Sequence, residues 1–194
     1  EGAITVAGFP APAPAVRAAE PAVSPAGMRA LLERRRSVRV YRRQPVSQEH
    51  LEAVVDAASL APSSSNRRPT RAYVYADPQA VAGVAHLAGD YFRGLLRWLS
   101  LPGLPAIAPL FGYSRREFAG LLHTLRYITT TQDRPDPILY GAPALILFTL
   151  PRHEREGLAD AFLAAQTAVI FAETIPLGTC YSGYIVQAGN SSRR

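Results

Sequence analysis

The sequence has little cysteine, no long apolar run and no regular spacing of metal ligands, and each absence excludes a class of protein. Cys180 is the single cysteine among 194 residues, so an intramolecular disulfide framework is excluded. The longest apolar stretch, residues 142–150, is far below the roughly 20 residues that a membrane-spanning helix needs. The four histidines share no ligand spacing with one another or with Cys180. We therefore predict neither a membrane span nor a metal site.

Acidic side chains are also the minority, because 21 basic side chains, all of them arginines, stand against 15 acidic ones and give a formal net charge of +6. This excess suits nucleic acid, an acidic membrane surface or a phosphorylated cofactor, and charge alone does not choose among them. With 48% hydrophobic residues, the chain is long enough for one α/β core. No secretory signal opens it and no methionine precedes Glu1, so we expect a cytoplasmic protein whose sequence begins inside a longer product.

Local capping signals predict four helices. Side chains that accept a hydrogen bond from the first helical turn stand before apolar stripes at helical spacing. These signals are Ser24 with Pro25, Ser47, Asp77 with Pro78, and Ser114 with Glu117. We predict that the first helix ends within residues 34–39, that Pro62 stops the second, and that the third extends to about residue 88.

Two strands and one long helix are predicted from apolar content. Residues 73–75 have the β-branched and aromatic composition of a strand, and the continuous apolar run at 144–149 indicates a strand buried on both faces. Residues 158–173 form a helix so rich in small and apolar side chains that more than one side must be covered, as in a central or subunit-interface helix. The Pro/Ala-rich residues 1–25 are predicted to be a linker or surface arm, and residues 91–136 have no clean period.

The first segment with chemical potential is Arg34-Arg-Arg-Ser-Val-Arg39. Guanidinium groups that flank a hydroxyl can give a phosphate bidentate hydrogen bonds and a full counter-charge. The run is equally typical of a basic helix end that is stabilised by the helix dipole. A nucleic-acid patch is a third reading, for which Tyr41 supplies the one nearby aromatic.

Two further segments are polar or glycine-bracketed. Residues 61–66, Ala-Pro-Ser-Ser-Ser-Asn, expose backbone amides that can line the edge of a planar ring, although Pro, Ser and Asn also form ordinary turns. Residues 176–183 follow the long apolar helix, and their glycines allow a backbone N–H to approach a flat cofactor. A helix C-cap would also explain Gly178, and small-residue packing would explain Gly183.

Taken together, in this order and spacing, these segments resemble the nitroreductase family. The resemblance covers about residues 28–75 and 138–190. It is carried by Arg36-Ser-Val-Arg39 with Tyr41, Pro45-Val46 with Leu51, Ala61-Pro-Ser-Ser-Ser-Asn66 with Pro69, Tyr140-Gly-Ala-Pro-Ala-Leu-Ile146, and Leu177-Gly-Thr-Cys-Tyr-Ser-Gly183.

The resemblance implies an α+β fold, a three-layer sandwich with a central, mainly antiparallel sheet flanked by helices. It implies a homodimer with one FMN in each of two sites at the subunit interface. By the same resemblance, a reduced nicotinamide, NADH or NADPH, gives hydride to flavin N5 in a ping-pong cycle. The flavin then reduces a nitroaromatic, a quinone or a related small-molecule acceptor.

The resemblance also assigns roles to residues, and it needs no catalytic side chain because the cofactor supplies the hydride chemistry. Arg35, Arg36, Ser37 and Arg39 would surround the phosphate and ribityl chain, with Arg35 and Arg39 as the phosphate anchors. The remaining contacts would come from Pro62, Ser63 and Ser64 of the partner subunit, from Asn66 at the pyrimidine edge, and from the backbone of Leu177, Gly178 and Thr179 near N5.

The sequence departs from the family pattern at three places. Arg67-Arg-Pro-Thr70 stands where relatives commonly have Gln before the proline and Trp after it, so Arg68 would change flavin contacts and Thr70 would open the pocket. The nitroreductase-like domain, residues 26–194 with an insertion at about 91–136, stops where the family pattern continues, which implies an incomplete carboxyl end. Residues 1–4 are similar to the end of a two-cluster ferredoxin module, which would make iron-sulfur centres the electron donor.

Two alternatives from other classes stay open. A basic nucleic-acid-binding module would explain the arginine run and the net charge, but it would leave the glycine loop and the buried strand without a role. A flavin-binding protein without turnover, or a family variant that fragments its own flavin or dehalogenates an aromatic, would share every motif above. We expect no nucleic-acid partner, because the first alternative explains fewer of the motifs.

Overall fold

A computed structural model describes residues 3–6, 23–130, 136–151, 154 and 157–191. Its contacts divide the chain into two compact units, residues 1–80 with 142–181 and residues 81–141 with 182–194. The helices are α1 (Pro25–Arg34), α2 (Gln48–Ser59), α3 (Pro78–Leu99), α4 (Leu104–Ile107), α5 (Arg115–Thr130), α6 (Gly157–Ala172) and α7 (Gly183–Ser191). The strands are β1 (Ala3–Val6), β2 (Arg71–Tyr75) and β3 (Leu145–Thr149). The predicted α+β class is confirmed.

The sheet of the first unit is antiparallel, with strand order β1-β2-β3. In the β2–β3 pair, Ala72 lies opposite Phe148 and Val74 opposite Ile146. Because side chains alternate across a strand, these four apolar residues share one face of the sheet. Antiparallel pairing lets a small sheet bury one face only.

Helices α2 and α6 cover that face. Leu51 and Val55 of α2 pack with the β2 residues Ala72 and Val74. On an adjacent side of α2, Val54 and Ala58 pack with three alanines of α6, which are Ala164, Ala168 and Ala172. Small residues on α6 let the two helices approach closely, and burying each larger apolar side chain contributes about 1.5–3 kcal/mol.

The predicted caps at Ser24, Ser47, Asp77 and Ser114 are all confirmed. The Ser24 hydroxyl accepts a hydrogen bond from the Gly27 amide at 3.1 Å, and the Ser47 hydroxyl accepts one from the His50 amide at 3.3 Å. Ser114 and Glu117 form a reciprocal capping box at the start of α5, with bonds of 2.8 and 3.2 Å. These hydrogen bonds lower the pKa of the Glu117 carboxyl.

The second unit consists of helices and turns in its described part. Phe92 of α3 is almost fully buried, and its ring meets Tyr91 and Tyr184 edge-on, with centroids 5.1 and 5.8 Å apart. The Ser182 hydroxyl donates to the Ile138 carbonyl at 3.1 Å and so fastens the start of α7. No helix in the described ranges is both long and apolar enough to cross a membrane.

Three predictions about the elements were wrong. Residues 3–6 form a strand that was not predicted, while residues 7–22 of the predicted arm lie outside the described residues. Helix α3 continues past residue 88 to Leu99, because Gly89 and Gly94 weaken a helix without ending it and the first following proline is Pro102. Strand β3 is half-buried throughout, because it lies at an edge of the sheet and the helix layer covers one face.

Helix α6 keeps an uncovered apolar surface within this chain. Leu158 and Phe162 are 56% and 54% exposed, and Leu163 is 44% exposed. The predicted coverage of more than one side is therefore not provided by the chain's own described residues. A face of this kind suits contact with another surface.

Candidate functional site

The structure joins the segment after α1 to the segment after α6. The Val38 amide donates to the Thr179 carbonyl at 2.9 Å, and Ser37 and Thr179 form an isolated parallel bridge. Two of the sequence-predicted binding segments are thus neighbours in space, although they are far apart along the chain. We call this backbone contact of Ser37 and Val38 with Thr179 the ladder; Gly178 is next to it, and Arg35 caps the end of α1 two residues before it.

Gly178 is required by this close approach. A Cβ at residue 178 would lie 2.8 Å from Cγ2 and 2.9 Å from Cγ1 of Val38, well inside normal contact distance. Neither alternative from the sequence explains the glycines, because α6 ends at Ala172, five residues before Leu177, and a Cβ at Gly183 would meet nothing within 4 Å. The Val38 side chain therefore explains Gly178, and Gly183 is left without a packing explanation.

An ion pair joins Arg34, at the end of α1, to Glu173, the residue that follows α6. Arg34 Nε lies 3.4 Å from Oε2 of Glu173, and the Arg34 guanidinium also donates to the Glu173 backbone carbonyl. Glu173 is only 9% exposed, so the pair ties the last turn of α1 to the carboxyl end of α6. A cation is well placed there, since it meets the negative end of the α6 dipole.

The arginines of the predicted cluster do not share one role. Arg36 Nη1 donates to the backbone carbonyls of Glu33 at 2.5 Å and of Arg35 at 2.9 Å. Arg34 and Arg36 thus fit the helix-end interpretation, because they donate hydrogen bonds to backbone carbonyls of the kind that a helix terminus leaves unpaired. Arg39 lies exposed after Val38 and before Val40, and Arg42 and Arg43 are exposed as well.

Arg35 is half-buried and lies beside Tyr181. Burial raises the pKa of the Tyr181 hydroxyl, and the positive charge of Arg35 opposes part of that increase. The Tyr181 hydroxyl donates to Oε1 of Gln166 on α6 at 3.0 Å. Arg35 is therefore the half-buried arginine of the cluster, whereas Arg34, Arg36 and Arg39 are exposed, and its charge acts on Tyr181 of the second segment.

Thr179 carries the least satisfied polar group of the ladder. Its Oγ1 is buried and has no hydrogen-bond partner among the residues that the structure describes. Leaving such a group unpaired costs about 1–3 kcal/mol, and buried hydroxyls in native proteins are normally paired. The hydroxyl is consistent with a ligand that brings hydrogen-bonding atoms to this ladder, as a flavin does.

The other predicted segment forms a strained turn after α2. A single 3₁₀ turn spans Ser64–Asn66, and Ser65, Asn66 and Arg68 have φ values of 51°, 55° and 53°. Each left-handed residue other than glycine costs up to about 1–2 kcal/mol, with Asn at the low end. Turns that hold several such residues need outside support and are concentrated at functional sites.

That support comes from α6 and from the turn itself. The Asp160 carboxylate accepts from the Ser64 amide, with Oδ1 at 3.1 Å and Oδ2 at 3.3 Å. The Arg68 amide donates to the Ser63 hydroxyl at 2.9 Å, and Arg67 pairs with Glu154 at 3.4 Å. The sequence analysis missed Asp160 and Glu173, whose signal was two acidic residues in an otherwise apolar helix.

The two groups of predicted residues lie at opposite ends of α6. Asp160, in the first turn, accepts from the Ser64 amide, and Glu173, just past the last turn, pairs with Arg34, shortly before the ladder. At 1.5 Å per residue, these ends are about 20 Å apart along the helix axis. Within one chain, the predicted cofactor-binding residues therefore form two separate groups, residues 35–39 with 177–179 and residues 62–66.

The part of the chain that the structure describes contains no group of three His, Cys, Asp or Glu side chains that could hold a metal ion. The candidate segments present hydrogen-bonding groups, guanidinium charge and backbone amides. These groups can bind and orient an anionic, planar ligand.

Comparison with known proteins supplies the family. The sequence model of the nitroreductase family matches residues 32–189. A 4-nitrobenzoate reductase from Pseudomonas putida is 27% identical over 172 residues, which cover 78% of this chain and 70% of that protein.

Solved structures show the same fold. A nitroreductase with bound FMN from Desulfitobacterium hafniense superposes with a TM-score of 0.63 at 21% identity, over 86% of this chain and 75% of that chain. A second nitroreductase with bound FMN, from Bacteroides fragilis, has a TM-score of 0.60 at 15% identity and covers 86% and 80% of the two chains.

Proposed function

The chain belongs to the nitroreductase family and is on that basis an oxidoreductase, and from this membership we propose that it binds FMN and works as a homodimer. We further propose that reduced nicotinamide is its electron donor and a nitroaromatic or quinone its acceptor. The observation that carries the proposal is the Ser37–Thr179 bridge. It brings the segment that follows Arg35 against Thr179, whose buried hydroxyl has no partner among the described residues. The resemblance assigns both segments to one cofactor, and this contact supports that assignment.

The phosphate would be held by Arg35 and Arg39. A phosphate that is withdrawn from water needs opposing charge and several hydrogen bonds, and the sequence has no glycine-rich phosphate loop to provide them. Ser37 would meet the ribityl chain, while Arg36 would contribute mainly by stabilising the end of α1. The bonds that engage Arg34 and Arg36 also weaken the nucleic-acid alternative, because two of the basic groups already serve the helix ends.

The ring would be met by backbone and small polar groups. Leu177, Gly178 and Thr179 would supply backbone and hydroxyl contacts near N5. Asn66 lies in the same turn as Ser63 and Ser64, so it would meet the pyrimidine edge of the flavin that this turn reaches across the dimer interface. When bound, FMN supplies hydride acceptance and donation at its N5 atom. The chain's own residues bind and orient the ring, so no acid or base side chain is assigned a catalytic role.

A homodimer is supported by the geometry of α6. Each chain carries the ladder at one end of the helix and the strained turn at the other, about 20 Å away. A partner that contributes Pro62, Ser63 and Ser64 would complete a site that one chain leaves divided. The exposed Leu158 and Phe162 supply an apolar surface for that contact.

The acceptor proposal leans on the named relative, a 4-nitrobenzoate reductase, and therefore favours a nitroaromatic substrate. The donor proposal is open to a direct test. The purified protein, loaded with FMN under anaerobic conditions, is mixed in separate cuvettes with NADH, NADPH and a chemically reduced ferredoxin. Fast bleaching of the flavin absorbance by a nicotinamide, followed by reoxidation with 4-nitrobenzoate or a quinone, is the expected result.

Bleaching by ferredoxin alone would instead assign the donor to iron-sulfur centres. Flavin that is bound but reduced by none of the three donors would contradict the proposed reductase activity. It would favour the flavin-binding variant without nicotinamide turnover. A ping-pong pattern in the initial rates, with parallel double-reciprocal lines, is expected for the full reaction.

A further inference from the structure

Asp160 is a buried carboxylate that accepts a hydrogen bond from the turn after α2. It is 6% exposed, and it lies in the first turn of α6. Both of its oxygens are within 3.3 Å of the Ser64 amide. A buried carboxylate is normally retained only where it is paired or hydrogen-bonded, and the α6 dipole favours negative charge at this end of the helix.

The bonds inside the turn at residues 63–68 do not fix its position relative to the rest of the chain. Three of the four residues from Ser65 to Arg68 have positive φ, and the bonds inside the turn, from Arg68 to Ser63 and to Asn66, close it locally. Those local bonds do not set where the turn stands relative to α6. Two other contacts tie the turn elsewhere. The Arg68 guanidinium donates to the Ser59 carbonyl at the end of α2 at 3.3 Å, and Arg67 pairs with Glu154 ahead of α6 in an ion pair that is half exposed on its Arg67 side and is therefore weaker. The bond from the Ser64 amide to Asp160 ties the turn to α6 itself.

We propose that Asp160 is a positioning residue, whose carboxylate holds the Ser64 amide and thereby fixes the turn that presents Ser63, Ser64 and Asn66 to the flavin. The part of the inference that concerns flavin rests on the proposed function, whereas the part that concerns the position of the turn does not. Asp160 itself does not touch the cofactor in this scheme. It acts through the backbone of the turn, so its effect is on affinity and ring geometry.

The first arm of the test examines the turn without any cofactor. Hydrogen–deuterium exchange is followed by mass spectrometry in a peptide that covers residues 60–70 of the full apo chain, for the parent and for Asp160→Ala, Asp160→Asn and Glu173→Ala. Glu173→Ala is the matched control, because it removes a buried carboxylate from the other end of the same helix. We expect at least a tenfold faster exchange in this peptide for Asp160→Ala, little change for Asp160→Asn, which keeps an acceptor oxygen, and none for Glu173→Ala.

The second arm measures FMN affinity and the visible circular dichroism of the bound flavin. Asp160→Ala should weaken FMN binding about 10- to 100-fold, the range for loss of one hydrogen bond to a charged group, and should change the flavin dichroism. Asp160→Asn should restore most of both. If Asp160→Ala does not fold, Asp160→Asn and Asp160→Glu test the same bond, since the longer Glu side chain should displace the turn and disturb the dichroism.

The outcomes separate this inference from the function on which it rests. Unchanged exchange in Asp160→Ala, or equal exchange in Glu173→Ala, overturns the hold on the turn. Faster exchange with unchanged FMN affinity and dichroism overturns the positioning role. A folded parent chain that binds no FMN refutes the proposed function, and the flavin half of the inference falls with it, whereas the exchange arm still decides the hold on the turn.

Discussion

Replacing Arg35 by alanine is the perturbation that bears most directly on where the phosphate lies. Arg35 is half-buried near Tyr181 and lies two residues before the bridge between Ser37 and Thr179. A phosphate bound there would meet a side chain that is already partly withdrawn from water. Arg43, which is exposed beyond the ladder, is the matched control.

The expected loss follows from that partial burial. A hydrogen bond to a charged group contributes about 1.5–3 kcal/mol, and leaving a buried charge uncompensated costs about 3–5 kcal/mol. A half-buried contact should fall between these ranges, at about 2–4 kcal/mol. At 1.4 kcal/mol per factor of ten, this is roughly a 30- to 1000-fold weakening of FMN binding.

Flavin fluorescence during titration of the apo protein gives the affinities, for FMN and for riboflavin. Riboflavin lacks the phosphate, so its affinity should barely differ between the parent and Arg35→Ala. Arg39 is exposed, so Arg39→Ala should weaken FMN binding less than Arg35→Ala does and should also spare riboflavin. Arg43→Ala should leave both affinities within about threefold of the parent, as expected for a solvated charge.

Two results would refute this reasoning. If Arg35→Ala binds FMN as tightly as the parent, the arginine is a surface feature and the phosphate lies elsewhere. If it weakens riboflavin as much as FMN, the substitution acts on the fold of the ladder and carries no information about the phosphate.

Three further outcomes are expected. Phe162→Glu, on the exposed face of α6, should shift the protein from dimer to monomer in light scattering and lower its FMN content, and a monomeric parent with full FMN would contradict the scheme. Gly178→Ala should cost about 1–3 kcal/mol in denaturant unfolding by overpacking Val38, and Val38→Ala should recover part of that loss; simple additivity would count against the contact. Ser114 lowers the pKa of Glu117 in the folded chain, so this carboxylate's stabilisation is present above its unfolded pKa and is lost as pH falls through the lower folded pKa. Glu117→Gln should therefore lose less Tm on acidification than the parent, and an equal loss would refute the capping contribution.

Short-range signals carried most of the helix prediction. Ser47 and the Ser114–Glu117 box each act within one helical turn, so the residue types alone suffice to place the helix start. The order and spacing of the three candidate segments also predicted the family, which the family model confirms, whereas their role in binding stays a prediction. Strand β1 was missed because four residues before a Pro/Ala-rich stretch gain their conformation from pairing with β2, far along the chain.

The supporting residues of the site could not be predicted, because their roles depend on tertiary contacts. Asp160 and Glu173 are ordinary acidic residues in the sequence, and only the fold places one against the Ser64 amide and the other against Arg34. The arginine cluster likewise divides into helix-end groups and a half-buried Arg35 according to which carbonyls each side chain can reach. The sequence alone could not separate these roles.

Flavin retention by the purified protein tests the central claim most directly. The chain is mixed with excess FMN, desalted, and examined by absorbance before and after denaturation, with the released compound identified by chromatography. We predict visible flavin bands, about one FMN per chain, and a dimer that carries the flavin. A folded chain that retains no flavin after this treatment would contradict the account.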